Sequence, residues 1–389
     1  MQEIYFDNCA TTKVSQQAKD AAIAAMEESY GNPSSLHGMG VQAGRMLAEA
    51  RRKIAAVLKV KEEEIYFTSC ATEANNTALF GVARTYARLG KKILVSSVEH
   101  LSVLEPAKQL AELGYEVLFI PVDNYGKVDL KCFETMLSDD VILVSVQLVN
   151  NETGTIQPVE EIGRILKEKA PQACFHIDMV QGLGKLPIEL VRWKADIVTV
   201  SGHKIHAPKG TGFFWLNSTC RLLPLIYGGG QEKNLRSGTQ NMPGICAMGV
   251  AVELAERERE ANVYRMQIVK NVLQEGLCCR IKDCHVNSPV DGVPHILNIS
   301  FPGVRSEVLM HYLEEAGIYV SSGSACSSHK EKKSHVLSAM GLSDDVIDSA
   351  IRFSFCAQNT VEEAKIAVEA TAKAVKEVRA LMGYRPAKR

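Results

Sequence analysis

The run Ile197-Val198-Thr199-Val200-Ser201-Gly202-His203-Lys204-Ile205-His206-Ala207-Pro208-Lys209-Gly210 opens as a string of β-branched apolar residues and then turns abruptly polar. A continuous apolar run of this kind reads as a strand buried on both faces, as in a parallel sheet. Open α/β sheets bind ligands just past the carboxyl ends of their strands. Lys204 falls at such an end, with the Ser201 hydroxyl and the His203 imidazole just before it. Partial desolvation there would make its amine a nucleophile of the Schiff-base type. Read from this stretch alone, Lys204 is equally a solvated loop lysine.

Working outward, strand-like and helix-like segments alternate from residue 64 onward. Strands are predicted over 65–68, 92–96, 116–120, 141–148, 174–177 and 196–200, with helices over 73–88, 101–113, 130–137 and 159–169 between them. The alternation predicts a mostly parallel sheet of about seven strands covered on both faces, with 211–216 as an antiparallel member. After Pro243 the pattern changes. One long helix is predicted over 244–276, then a strand over 295–301, a helix over 305–316, a strand over 350–355 and a helix over 361–381. The expected fold is α/β, with a large domain over 21–243 and a smaller C-terminal α/β domain over 244–389. Residues 1–20 are expected to pack with the small domain.

The length of 389 residues suffices for two such cores, and a net charge of −1 gives no sign of nucleic-acid or membrane binding. No apolar run is long enough for a membrane span, and the first residues lack the pattern of a secretory or transit peptide. The chain therefore reads as cytoplasmic. Its eleven cysteines are an odd number and scattered, as expected of reduced thiols. The Cys278-Cys279 and Cys284-His285 cluster lacks zinc-site spacing, so no metal is expected.

Polar residues collect at the strand ends. Thr72 stands where a helix should begin, as an anion-binding hydroxyl or as a plain N-cap. His100 and the turn Asn150-Asn151-Glu152-Thr153-Gly154 follow two other strands. The strand at 174–177 delivers Asp178, with Gln181 one turn on. One strand before Lys204, Asp178 suits the ring nitrogen of pyridoxal phosphate, where a carboxylate keeps the ring an electron sink.

These residues lie in Asp7-Asn8-Cys9-Ala10-Thr11-Thr12, Gly31-Asn32-Pro33-Ser34-Ser35-Leu36-His37, Ala71-Thr72-Glu73, Asn151-Glu152-Thr153-Gly154, His176-Ile177-Asp178 with Gln181, Ser201 with His203-Lys204, Arg236-Ser237-Gly238-Thr239, and Ser322-Gly323-Ser324-Ala325-Cys326. With these motifs in this order, nearly the whole chain resembles the class V aminotransferase group, and within it the cysteine desulfurases of the NifS/IscS-like type. The resemblance implies a pyridoxal-phosphate-dependent transferase fold. It implies that Lys204 holds the cofactor covalently, that His100 stacks on the ring and moves protons, and that Asp178 and Gln181 meet the ring nitrogen and hydroxyl. Ala71, Thr72, Ser201 and His203 would form the phosphate cradle. Thr239 would reach the cofactor of a neighbouring subunit in a homodimer. Asn151 and Arg352 would bind the substrate carboxylate.

Cys326 sits among small residues and a Lys330-Glu331-Lys332-Lys333 run, which predicts a mobile loop over 321–334. The nearby cations favour the reactive thiolate, and the residues alone leave its role open. The resemblance implies that Cys326 takes sulfur from L-cysteine as a persulfide, leaves L-alanine, and delivers the sulfur to an acceptor such as an iron–sulfur scaffold. A selenocysteine lyase, an aminotransferase of the same superfamily and a non-catalytic sulfur-pathway scaffold are the alternative readings.

Overall fold

The central strands of the main sheet are buried along their length, as expected of a sheet covered on both faces. The computed structural model describes residues 3–322 and 333–384. In chain order these begin with β1 (Ile4–Tyr5), α1 (Gln16–Glu27), α2 (Gly38–Leu58), β2 (Ile65–Thr68), α3 (Ala71–Tyr86), β3 (Lys92–Ser96), α4 (Leu101–Glu112), β4 (Glu116–Ile120) and α5 (Leu130–Met136). There follow β5 (Val141–Ser145), α6 (Val159–Lys169), β6 (Cys174–Asp178), β7 (Ile197–Ser201), β8 (Gly212–Leu216), α7 (Met242–Arg257) and α8 (Arg259–Arg280). The chain continues through β9 (His285–Val286), β10 (Ile296–Ser300), α9 (Ser306–Glu315), β11 (Ile318–Tyr319), β12 (Ser321–Ser322), α10 (His335–Ala339), α11 (Asp344–Asp348), β13 (Ala350–Ser354) and α12 (Val361–Leu381).

The main sheet runs β2-β8-β7-β6-β5-β3-β4. β8 lies antiparallel to both of its neighbours, and the remaining pairs are parallel. Every residue of β5, β6, β7 and β8 is buried. The parallel strands thus present their carboxyl ends along one edge, where the polar residues of the sequence motifs gather.

A second sheet, β12-β13-β10-β9, is antiparallel, and β1 pairs with β11 beside it. Its core joins Phe6, Leu297, Ile299, Phe353 and Phe355 to α8, α9 and α12. The helix predicted over 244–276 is broken: α7 ends and α8 begins at Glu258, whose φ and ψ are −101° and 2°. Ile245, Ala247, Met248, Ala251 and Val252 of α7 join the core of the main sheet. Met266, Val269, Leu273 and Leu277 of α8 join the second core. The demands of two cores split the helix, and neither glycine nor proline marks the break. Among the described residues, no helix is long and apolar enough to cross a membrane.

Candidate active site

Lys204 closes a single turn of 3-10 helix that begins as soon as β7 ends. Gly202 makes that turn possible, since a Cβ there would lie 2.7 Å from Thr211 Oγ1 and 2.8 Å from Met248 Sδ. The Lys204 amine donates to the carbonyls of Cys9, at 2.5 Å, and Ala10, at 2.8 Å. The N-terminal motif is therefore a strap across the cavity, tied down by Cys9 N donating to Ser354 Oγ at 2.9 Å.

Asp178 ends β6 with each carboxylate oxygen engaged. Val180 N donates to Oδ1 at 3.0 Å, and Asn75 Nδ2 donates to Oδ2 at 2.9 Å. Gln181 donates to Cys9 O at 3.3 Å. His100 is the N-cap of α4, and its Nδ1 accepts from Ser102 N at 3.1 Å. Burial lowers the His100 pKa, opposed by the charge of Asp178 and reinforced by those of Lys204 and His335, so the ring is held neutral. His203 is pushed down to about 4, first by burial and then by the cations Lys204 and Lys209.

Thr72 is not the N-cap of its helix. α3 starts at Ala71, its N-cap is Cys70, and Cys70 makes no side-chain cap bond. The first turn of α3 thus opens into the cavity without a side chain closing it, and Thr72 sits exposed at the second helical position. Such an end binds anions through its backbone N–H groups and the positive pole of the helix.

On the facing side, Arg352 of β13 is buried. It donates through Nη2 to Asp7 Oδ1 at 2.9 Å and through Nη1 to Asn151 O at 3.0 Å, and its buried Nε has no partner. The guanidinium is held from behind and keeps donors for a ligand. An Asx turn shapes the neighbouring segment, with Asn150 Oδ1 accepting from Glu152 N at 2.8 Å and Thr153 N at 2.9 Å.

Ala71, Thr72, His100, Asn151, Asp178, Gln181, Ser201, His203, Lys204 and Arg352 line one cavity of about 270 Å³. Thr239 does not. It is exposed, in the segment before α7, and is not among the residues that line this cavity. Cys326 lies outside the described residues. The structure adds Asn75, Ser102, Gln147 and the Cys9 and Ala10 carbonyls, none of which sequence reading singled out as functional. A buried Asn next to a helix-start motif carries no signal until its partners are known.

The class V aminotransferase model matches residues 4–366 of the chain. The chain belongs to the class V aminotransferase family. Within that family it groups with the NifS/IscS-like cysteine desulfurases. It is 41% identical over 382 residues to a putative cysteine desulfurase, IscS 1, of Bacillus subtilis, covering 97% of this chain and 99% of that protein. A solved NifS-like protein superposes with a TM-score of 0.90 at 40% identity, covering 98% of this chain and 100% of that one. SspA in complex with cysteine superposes with a TM-score of 0.80 at 30% identity, covering 91% of this chain and 99% of that one. Class V aminotransferases are in general pyridoxal-phosphate enzymes. The cavity of this family member suits such a group on its own terms: an uncapped helix end for the phosphate, a fixed carboxylate and a tethered amine.

Proposed function

We propose that this class V aminotransferase is a pyridoxal-phosphate-dependent cysteine desulfurase that converts L-cysteine to L-alanine and passes on the sulfur. The observation that carries the reading is the meeting of Lys204, Asp178 and Arg352 in one cavity. An aldehyde-binding amine, a ring-nitrogen carboxylate and a carboxylate-gripping fork are what an amino-acid-transforming cofactor site requires.

When bound, pyridoxal phosphate supplies an electron sink for a bond broken at the substrate. Ala71, Thr72, Ser201 and His203 would hold its phosphate, Asp178 and Gln181 its ring nitrogen and hydroxyl, and Lys204 would hold it covalently. The chain's own residues do the remaining work. Arg352 and Asn151 bind the substrate carboxylate and so orient the Cα–H bond. Lys204 removes and returns the proton at Cα. His100, held neutral by its surroundings, exchanges a proton through the nitrogen that Ser102 leaves unbonded. Cys326 Sγ attacks the substrate sulfur: the S–S bond forms as the Cβ–S bond breaks, and Cβ takes up a proton to leave alanine. The role of Cys326 rests on its sequence context and on the family.

Thr239, exposed and off its own cavity, supports a homodimer in which it serves the neighbouring site. The acceptor of the persulfide would be a protein such as an iron–sulfur scaffold. The reading is of a cytoplasmic enzyme, in the compartment where its free thiols stay reduced. The packing of α7 against the main core favours drawing the division between the two units at Glu258.

The test is incubation of the purified protein with L-cysteine, measuring alanine and trapping the persulfide on Cys326 by mass spectrometry. Stoichiometric labelling at Cys326, with loss of turnover in Cys326→Ala, is expected. Full cysteine turnover by Cys326→Ala would sink the desulfurase reading.

A further inference from the structure

Behind the cavity, buried side chains are joined in one hydrogen-bonded run. Ser145 Oγ lies 2.8 Å from His176 Nδ1, and His176 Nε2 lies 3.1 Å from Thr199 Oγ1. Thr199 Oγ1 lies 2.5 Å from Asn75 Oδ1. Asn75 Nδ2 lies 2.9 Å from Asp178 Oδ2 and 2.9 Å from Ser102 Oγ, and Ser102 Oγ lies 2.8 Å from His100 Nδ1. Asn75 is 0% exposed, and each polar atom of its amide is engaged.

The direction of every bond follows from one backbone group. Ser102 N–H can only donate, so His100 Nδ1 is an acceptor and the neutral ring carries its proton on Nε2. The Ser102 hydroxyl then donates to the same Nδ1, and its oxygen accepts from Asn75. This points the Asn75 amide nitrogen at Ser102 and Asp178, leaving Oδ1 to accept from Thr199. The Thr199 oxygen in turn accepts from His176 Nε2–H. His176, its pKa pushed down to about 3 by burial, stays neutral with a bare Nδ1 that accepts from Ser145. Every donor thus points toward Asp178 and His100, and bonds aligned in this way reinforce one another.

We propose that Asn75 is a positioning residue: its single amide holds Asp178 directly and His100 through Ser102, so that both groups meet the cofactor in one fixed relation. The inference rests on the pyridoxal-phosphate reading of the cavity. It asks for a planar group with two donors and one acceptor, which leucine, of similar size, cannot supply. In Asn75→Leu the buried Thr199 hydroxyl loses its acceptor, and an unsatisfied buried donor is costly. Thr199 should therefore turn to His176 Nε2, driving that ring to the Nδ1–H form with Ser145 as acceptor.

The experiment reads ring-nitrogen protonation by NMR on protein labelled with 15N-histidine, with His176 assigned through His176→Gln. It also measures the rate at which reconstituted protein loses pyridoxal phosphate on dialysis. Wild type should show both His100 and His176 protonated on Nε2. Asn75→Leu should move the His176 proton to Nδ1 and speed cofactor loss roughly tenfold or more, the size of one lost hydrogen bond to a carboxylate. Ser102→Ala should speed loss less, and adding it to Asn75→Leu should change little, because both act through one amide. If Asn75→Leu does not fold, Thr199→Val, which removes only the hydroxyl on Asn75 Oδ1, should still raise the loss rate. An unmoved His176 proton with wild-type cofactor retention overturns the inference, as do independent, multiplying effects of the two substitutions. A wild type that takes up no pyridoxal phosphate overturns the functional reading instead, while the NMR arm still decides the direction of the network.

Discussion

Arg352→Lys separates substrate recognition from stability most sharply. Arg352 is fixed by two bonds, to Asp7 Oδ1 at 2.9 Å and to Asn151 O at 3.0 Å. Its remaining N–H groups can grip a carboxylate with two parallel bonds. A lysine keeps the positive charge opposite Asp7, but one ammonium cannot also present that fork. Each charge-assisted bond lost costs about 1.5–3 kcal/mol, or roughly 10- to 100-fold in kcat/KM. The assay is steady-state turnover of L-cysteine beside cysteamine, which lacks the carboxylate. Arg352→Lys should lose activity on L-cysteine by that factor while its slow turnover of cysteamine changes little. Urea unfolding should move modestly for Arg352→Lys. It should move by about 3 kcal/mol for Arg352→Ala, which leaves Asp7 without its partner. An equal loss on both substrates, or no loss on cysteine, would refute the assignment of Arg352 to the carboxylate.

Other outcomes follow from the same geometry. Lys204→Ala should still take up pyridoxal phosphate at the helix end but without covalent attachment, so borohydride treatment followed by mass spectrometry should find no label at position 204, whereas wild type should carry one. Burial pushes the Glu152 carboxyl up to about 7 from 4.5, against the hydrogen bond from Ser334 and the charge of Arg352. The folded state therefore keeps a proton that the unfolded chain has lost. This contribution is complete below about pH 4.5 and disappears as pH rises through about 7. Relative to wild type, Glu152→Gln should gain stability by roughly 3 kcal/mol across that window; parallel stability curves would show that Glu152 does not titrate there. Glu232 accepts two bonds from Arg51, at 3.0 and 2.9 Å, and one from Phe67 N at 3.0 Å. Glu232→Ala strands a largely buried guanidinium and should cost about 3–5 kcal/mol in chemical denaturation, and a loss below 1 kcal/mol would show that water replaces the carboxylate.

Much of the architecture was legible in the residues because hydrophobic periodicity and turn chemistry are local. The mostly apolar run ending in Asp178 and the β-branched run ending in Ser201 announced parallel strands, and the polar residues after them marked the ligand edge. Where local signals were silent, the structure differed. No breaker stands at Glu258, yet the helix ends there because its two halves serve different cores. Thr72 looked like a helix cap, but the cap of α3 stands two residues earlier, at Cys70.

The sequence by itself determined the alternating fold, its family and the residues able to do the chemistry, since each of these is written in short spacings. The tertiary structure alone decided which of them meet. It gathered Lys204, Asp178, Arg352 and the α3 terminus around one cavity and left Thr239 outside it. It alone gave Asn75 a purpose, because the partners of that amide, Asp178 and Thr199, stand 103 and 124 residues away. A buried polar group must find its hydrogen bonds in the folded protein, and which ones it finds depends on chain crossings that no local pattern records.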